Sequence, residues 1–123
     1  MKFQNFREII AWQKARVLSK EIYSVFGKNR DFGFSDQIQR SSVSVMSNIA
    51  EGYGRGTNKE FVRFLDIAKG SLYETQSLLE IAQDLRYIAG SKYLELNQMC
   101  DELTKIIHGL IRKLTIMQKS SKL

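Results

Sequence analysis

Apolar residues recur at intervals of three and four along most of the chain, which is the spacing of one face of an α-helix. No segment alternates apolar and polar residues as a half-buried strand does. Polar, glycine-containing links interrupt the repeat three times, so the pattern predicts four helices. They span about residues 6–26, 35–54, 57–88 and 91–117, and we expect residues 118–123 to fray at the end of the last helix.

Capping residues mark where three of these helices begin. Asn5 with Glu8 has the spacing of a capping box before the first helix, and Thr57 with Glu60 has it before the third. Ser35 is the predicted N-cap of the second helix, because a serine hydroxyl accepts a hydrogen bond from a free amide of the first turn.

Glycines punctuate the second and third helices. Gly54 and Gly56 end the second helix, because glycine readily adopts the left-handed conformation of a helix stop. Gly70 and Ser71 lie within the third helix, where glycine is unfavourable, so we expect a neighbouring backbone to approach closely there. Helices of this length with short links predict an all-α fold, an antiparallel up-and-down four-helix bundle forming a single domain.

The chain has 123 residues, no proline and a formal net charge of +6, and this charge is uneven. Residues 1–30 hold seven Lys or Arg against two acids, residues 91–123 hold six against three, and residues 31–90 hold six against eight. The first and last helices are neighbours in an up-and-down bundle, so we expect the excess positive charge on one side of the molecule. Such a side suits phosphate groups, although a solvated surface that keeps the protein soluble carries the same charge.

Six cations of the first and last helices are candidate nucleic-acid contacts. These are Lys14, Arg16, Lys20, Arg112, Lys113 and Lys119. Trp12 and the five tyrosines could stack on bases, but they are scattered over the four helices and we expect them at the rim of the core.

Few residues offer catalytic or metal-binding chemistry. Cys100 and His108 are the only cysteine and histidine, too few for a zinc cluster, and Lys105 stands where a di-iron bundle needs glutamate before histidine. A lone histidine near the apolar side of a helix is most often packed or partly exposed, so we expect no enzyme, no metal and no cofactor. A single cysteine fits a reducing cytoplasm, and no apolar run approaches the roughly 20 residues of a membrane span.

One face of the second helix is rich in polar side chains. Arg40, Ser44, Asn48, Glu51 and Arg55 follow one another at three- and four-residue steps, which puts them on the same face. The plain interpretation is an exposed ion pair between Glu51 and Arg55. We favour a partly buried network that fixes helix register or a subunit interface.

The glycines after this face, at positions 52, 54 and 56, lack the preceding strand and the spacing of a dinucleotide fingerprint. They form a turn between helices. The free amides at the start of the third helix, with Arg55 and Lys59 nearby, remain a candidate anion site.

Several strings of residues resemble one known family. They are WQKA at residues 12–15, SVMSNIAEGYGR at residues 44–55 and EFVRFLDIAKGSLYE at residues 60–74. In order and spacing, these strings resemble the four-helix-bundle proteins encoded within intervening sequences of bacterial 23S ribosomal RNA genes. The resemblance is clear over residues 6–88 and extends to the fourth helix by general pattern.

This resemblance implies a four-helix bundle that assembles into a ring-like homo-oligomer, a pentamer. Relatives of the family include the accessory variability proteins of diversity-generating retroelements, which are basic pentamers that bind nucleic acid and a reverse transcriptase. The chain departs from the family pattern at Gly27 and Met46, where proline is usual, and at Gln39, where a second arginine is frequent.

Two functional hypotheses fit these observations. The first is a homo-oligomer that binds RNA or DNA, since five copies would carry five times +6, or +30, and would bind multivalently. The second is a structural or protein-interaction scaffold that binds a partner such as a polymerase without specific nucleic-acid binding. Neither hypothesis involves a membrane.

Overall fold

The structure is a computed structural model that describes residues 3–121, with side chains described for residues 3–118. A short 3₁₀ turn at Phe6–Glu8 precedes four α-helices. These are α1 (Ile10–Phe26), α2 (Phe32–Gly54), α3 (Asn58–Asp84) and α4 (Gly90–Ser121). The described residues form no strand, and the predicted all-α four-helix bundle is confirmed.

Each helix packs against its neighbours in chain order, and α4 returns to α1 to close the bundle. The contact between α2 and α3 is the most extensive, and the contact between α1 and α4 is the least. In the described structure α1 and α3 lie diagonally, without close backbone approach, and so do α2 and α4. This up-and-down arrangement leaves four outer seams, one between each pair of neighbouring helices.

The apolar faces of the helices meet in one core. Its largest fully buried side chains come from all four helices and the residue before α1: Ile9, Leu18, Ile22, Phe26, Ile38, Ile49, Leu65, Leu72, Leu79, Leu96, Leu103 and Ile107. Full burial of a Leu or Ile contributes about 1.5–3 kcal/mol, so these contacts are the main source of stability. Within the contact of α2 and α3, the hydroxyls of Ser41 and Thr75 lie 2.8 Å apart and those of Ser44 and Ser71 lie 2.9 Å apart.

The second helix begins earlier than the sequence predicts. Asp31, and not Ser35, is its N-cap, because the Asp31 carboxylate accepts a hydrogen bond from the amide of Phe34. Ser35 is buried inside the helix, and its hydroxyl donates to the carbonyl of Phe26 at the end of α1. Ser35 is therefore an interior residue of α2 whose hydroxyl satisfies a carbonyl at the end of α1.

The first predicted helix is split near its beginning. Asn5 caps the 3₁₀ turn by accepting from the amide of Arg7, and the amide of Gln4 donates to Glu8. The chain is extended at Ile9, and the α-helix begins at Ile10. Asn5 therefore caps a shorter element than predicted.

The third helix ends at Asp84, four residues before the predicted end, because Arg86 adopts a left-handed conformation with φ of 59°. The amide of Arg86 donates to the carbonyl of Gln83, and that of Tyr87 donates to Ala82. These two bonds are the pattern of a Schellman motif, which satisfies the last carbonyls of a helix. Glycine usually occupies the left-handed position. Because arginine occupies it here, no glycine in the sequence marks the end of the helix.

The fourth helix continues to Ser121, beyond the predicted end at residue 117. No glycine or proline follows Met117, so nothing in the sequence stops the helix. Fraying was expected for residues 118–123. Residues 122 and 123, and the side chains from Lys119 onward, lie outside the described residues.

No neighbouring backbone of the described residues approaches Gly70 closely, contrary to the prediction. A Cβ atom added at Gly70 would meet no atom within 4 Å, because this residue faces outward from α3. Its neighbour Ser71 does face α2 and contacts Ser44. At the two positions where the family usually has proline, α2 runs unbroken through Met46, and α1 ends directly before Gly27.

Candidate functional site

Gly52 and Gly56 shape the connection between α2 and α3, which we call the α2–α3 corner (residues 48–64). A Cβ atom added at Gly52 would lie 2.5 Å from the Cβ of Phe64, so only glycine fits where the two helices cross. Gly56 has a φ of 87°, which is the left-handed region that glycine tolerates. The predicted helix stop therefore depends on Gly56, whereas Gly54 is the last residue of the helix.

Two arginines enclose the ring of Phe64 at this corner. The guanidinium of Arg55 lies 4.8 Å from the ring centroid, and that of Arg63 lies 4.6 Å from it. Arg55 pairs with Glu51 at 3.1 Å, and Arg63 pairs with Glu60 at 2.9 Å. The hydrogen bond from Arg63 lowers the pKa of Glu60. Exposed pairs contribute little individually, but together with the ring contacts they hold both helix ends in one arrangement.

Tyr53 ties the beginning of the chain to the same corner. Its hydroxyl donates to the carbonyl of Phe3 at 2.5 Å. Its ring makes edge contacts with Phe3 and Phe61, with centroids 6.2 Å and 6.0 Å away. This role of Tyr53 is not predictable from the sequence, because a contact across 50 residues leaves no local pattern.

The polar face of α2 separates into three groups. Arg40 pairs with Asp36 at the surface, at 2.8 Å. The half-buried Asn48 amide donates to the carbonyl and hydroxyl of Ser44, which in turn contacts α3. Glu51 and Arg55 form the third group.

Within the described structure no hydrogen bond or ion pair links Asn48 to Glu51 or Arg55, although the three residues were predicted to form one network. Ser44 is the member of this face that bonds directly to α3. A role in a subunit interface stays a prediction.

The candidate phosphate contacts lie on different parts of the surface. Lys14 is paired with Glu102 of α4 at 2.9 Å, and so is already partly neutralised. Arg16 and Lys20 face α2, and no carboxylate of the described residues pairs with either. Lys113 lines an apolar pocket of about 270 Å³ between α4 and the start of α1.

Arg112 is exposed on α4, and no carboxylate of the described chain pairs with it. Lys119 lies in the last turns of α4, and its side chain is outside the described residues. The single basic side expected of α1 and α4 is therefore divided, because Lys14 is paired, and Arg16 and Lys20 face a different seam from Lys113.

Arg16 and Lys20 belong to an open groove of about 630 Å³ between α1 and α2, which we call the α1–α2 groove. Its lining comprises Arg16, Ser19, Lys20, Tyr23, Ser24, Val43 and Met46. The lining consists of two cationic side chains, one tyrosine, two serines and two apolar side chains, and it contains no carboxylate.

Carboxylates without a cation partner gather on the opposite side of the bundle. Glu74, Glu80 and Asp84 lie on α3, and Asp101 of α4 bonds to Gln76 of α3. Tyr93 donates to Glu80, and this bond, with the nearby carboxylates of α3 and α4, raises the pKa of Tyr93. Arg16 and Lys20 are on α1, which lies diagonally from α3.

The residues considered for catalysis lie apart. His108 is exposed, whereas Cys100 is fully buried. Burial raises the pKa of the Cys100 thiol to about 12, so it stays protonated. In the part of the chain that the structure describes, no three His, Cys, Asp or Glu side chains are grouped as metal ligands. Among the same residues, none of the helices has the length and apolar character needed to cross a membrane.

The start of α3 is capped by the protein itself. The hydroxyl of Thr57 accepts from the amide of Glu60, as predicted. Arg55, which was expected to assist an anion there, is held by Glu51 and Phe64. This leaves the α1–α2 groove as the more open cationic surface.

Comparison with known proteins identifies the family. The family model of the 23S rRNA-intervening sequence protein matches residues 7–109, which extend from the 3₁₀ turn into α4. The chain belongs to this family. The matched residues include the α2–α3 corner and the α1–α2 groove, so both surfaces lie within the family domain.

A solved structure supports the same assignment for this member of the intervening-sequence family. It is the crystal structure of a protein of unknown function from the S23 ribosomal protein family of Bacteroides thetaiotaomicron. It is 25% identical, with a TM-score of 0.78, over 83% of this chain and 98% of that chain. No curated protein matches the chain.

Proposed function

We propose that this member of the intervening-sequence family is a non-enzymatic, cytoplasmic homo-oligomer that binds nucleic acid through the α1 side of its bundle. The observation that carries the proposal is the separation of unpaired charge. Arg16 and Lys20 on α1 have no carboxylate partner among the described residues, and neither have Lys28 and Arg30 in the following link. Of the six carboxylates without a cation partner among the described residues, Glu74, Glu80 and Asp84 belong to α3, on the diagonal, and the other three are Glu8, Asp31 and Asp101.

Charge separation of this kind suits a polyanion. A phosphate backbone gains from every cation that it meets, and it loses when carboxylates lie within the screening distance of about 8 Å at physiological salt. The lining of the α1–α2 groove contains no carboxylate. Within this lining a phosphate meets cations and no carboxylate.

Support for self-association comes from the outward face of α3. Ile67 and Ile81 are each 42% exposed and Leu85 is 48% exposed, and their spacing puts them along one stripe of the helix with Gly70, which the exposed Glu74 interrupts. Exposed apolar stripes are typical of protein–protein contacts. Assembly through α3 leaves α1 outward, and five copies, as the family resemblance implies, would multiply the cationic surface.

The test is native mass spectrometry before and after nuclease treatment, followed by titration with structured RNA and with DNA at about 50 and 200 mM salt. We expect an oligomer whose affinity falls steeply as salt rises. The control is the variant with both Arg16 and Lys20 changed to Ala, which should bind more weakly with a shallower salt dependence. An Ala variant of Lys59, a cation at the start of α3, should bind like the unmodified protein.

Failure to bind at about 50 mM salt would contradict the nucleic-acid function. A monomeric mass would contradict the assembly. A protein partner that survives nuclease treatment, together with no binding of nucleic acid, would favour the scaffold function instead. The exposed apolar stripe on α3 is the feature that such a partner would use.

A further inference from the structure

The α1–α2 groove contains more than a phosphate contact requires. Beside its two cations, the ring of Tyr23 is 49% exposed, and Val43 and Met46 of α2 form an apolar wall. Aromatic rings were expected at the rim of the core, and Tyr23 lies among the basic residues instead. A surface that only attracted phosphate would need neither the ring nor the apolar wall.

From this combination we infer that the α1–α2 groove is a subsite for single-stranded nucleic acid, in which Tyr23 stacks on an unpaired base while Arg16 and Lys20 contact the adjoining phosphates. The inference rests on the proposed nucleic-acid function, and it names the form of nucleic acid and the residue that selects it. Stacking on an aromatic ring flanked by cations is the usual way in which proteins hold unpaired strands.

The order of the side chains along α1 fits an extended strand. Arg16, Lys20 and Tyr23 follow at steps of four and three residues, so they share one face of the helix. With a rise of 1.5 Å per residue, the steps are about 6 Å and about 4.5 Å. Two cations a helical turn apart match successive phosphates, and the ring lies one turn beyond them.

Ser19 provides a second, independent observation. Its side chain is buried at 6% exposure, it lines the groove, and its hydroxyl has no hydrogen-bond partner among the described residues. Buried hydroxyls normally have a partner. The oxygen is closed off from the groove in this conformation, so a polar edge of a base or sugar would supply a partner only after a rotation of the serine side chain.

Duplex nucleic acid cannot use the groove in this way. In a duplex the faces of the bases are stacked on one another, so the ring of Tyr23 and the wall of Val43 and Met46 would stay without a partner. A duplex would meet the cations alone. The groove therefore predicts stronger binding of single strands than of duplexes with the same number of phosphates.

The experiment measures fluorescence anisotropy of the full chain with unstructured RNA and DNA strands of about 12 nucleotides and with duplexes of equal phosphate number whose strands are joined by a linker that carries no base. Tyr23→Ala should weaken single-strand binding about tenfold and leave duplex binding within about twofold. Tyr23→Phe keeps the ring and should retain binding. Tyr73→Ala removes an equally exposed tyrosine from α3 and is the matched control.

The outcomes separate this inference from the proposed function. If Arg16→Ala and Lys20→Ala weaken binding while Tyr23→Ala does not, the base subsite is wrong and the nucleic-acid function stands. Equal losses on single strands and duplexes for Tyr23→Ala would also overturn the subsite. If Tyr23→Ala lowers the native oligomeric mass, the groove is an interface between copies and the inference fails. If the unmodified protein binds neither form, both proposals fail.

Discussion

At position 52 the absence of a side chain lets α2 lie directly on Phe64 of α3. Gly52→Ala would place a methyl group 2.5 Å from the Cβ of Phe64, which neither helix backbone can accommodate without moving. We expect the free energy of unfolding to fall by about 1–3 kcal/mol, as in other overpacked cores. Urea denaturation with a helical circular dichroism signal measures this loss.

Gly54→Ala is the matched control, two residues further along the same helix. A methyl group there would meet no atom within 4 Å. Alanine is the better helix former by about 0.5–1 kcal/mol, so this variant should be unchanged or slightly more stable. Equal destabilisation by the two substitutions would contradict the close packing of Gly52 on Phe64.

The thiol of Cys100 makes the free energy of unfolding depend on pH in the alkaline range. The thiol has a pKa of about 12 in the folded protein and one near 8.5 in an unfolded chain. The folded state keeps its proton where the unfolded state releases it. The stabilisation is therefore complete below about pH 8.5 and is lost as pH rises toward 12, at no more than about 1.4 kcal/mol per pH unit.

Comparison with Cys100→Ala isolates this effect from the titration of lysines and tyrosines. The free energy of unfolding of the variant should fall less steeply between pH 8.5 and 10 than that of the unmodified protein, whatever the difference at neutral pH. Parallel pH profiles for the two proteins would show that the thiol does not contribute. The slope is the diagnostic quantity, because removal of the sulfur also leaves a small cavity.

Single residues also explain where sequence analysis failed. Thr57 could be recognised as a cap because its partner lies three residues away. Ser35 has the residue type of a cap, but its hydroxyl bonds to the end of α1, and no local pattern reveals this. Arg86 ends α3 in a left-handed conformation that arginine rarely adopts. In each failure the deciding partner or conformation is not implied by the residue type.

At the level of helices, the existence and order of α1 to α4 could be predicted, because each carries a sustained apolar repeat whose buried members form the core. The hydrogen-bond and ion-pair partners of the polar residues could not be predicted. Steps of three and four correctly put Arg40, Ser44 and Asn48 on one face of α2, but only the packing of α3 decides which of them find partners there. Helical spacing predicts which residues share a face, whereas the packing of the neighbouring helix decides which of them make contacts.

Gly70 gives a prediction for α3. Gly70→Ala should raise the stability of each subunit by about 0.5–1 kcal/mol, because the position is helical and open. If a second copy packs on the stripe of Ile67, Ile81 and Leu85, the added methyl group should also reduce assembly. Native mass spectrometry over a range of protein concentrations measures assembly, and thermal unfolding of the diluted protein measures stability.

Gly109→Ala is the control for this prediction. Gly109 is also an open, exposed glycine inside a helix, but it lies on α4. Its replacement should stabilise the subunit by a similar amount and leave assembly unchanged. If both variants assemble like the unmodified protein, the outward face of α3 does not form the contact between copies.

For the whole molecule, the net charge could be read from the sequence but its distribution could not. The excess of cations in α1 and α4 predicted one basic side. In the fold, Glu102 instead forms an ion pair with Lys14, and Lys92 forms one with Glu21, both across the seam between α1 and α4. Acids that are distant in sequence neutralise part of that seam, and the remaining cations of α1 face α2.

The same distribution of charge has a kinetic consequence. An assembly that packs through α3 would keep the carboxylates of that helix inside and present the unpaired cations beside α1 to an approaching polyanion. Encounters would then occur with α1 foremost more often than random tumbling allows. Added salt would slow such association far more than it would hasten dissociation from a stacked base.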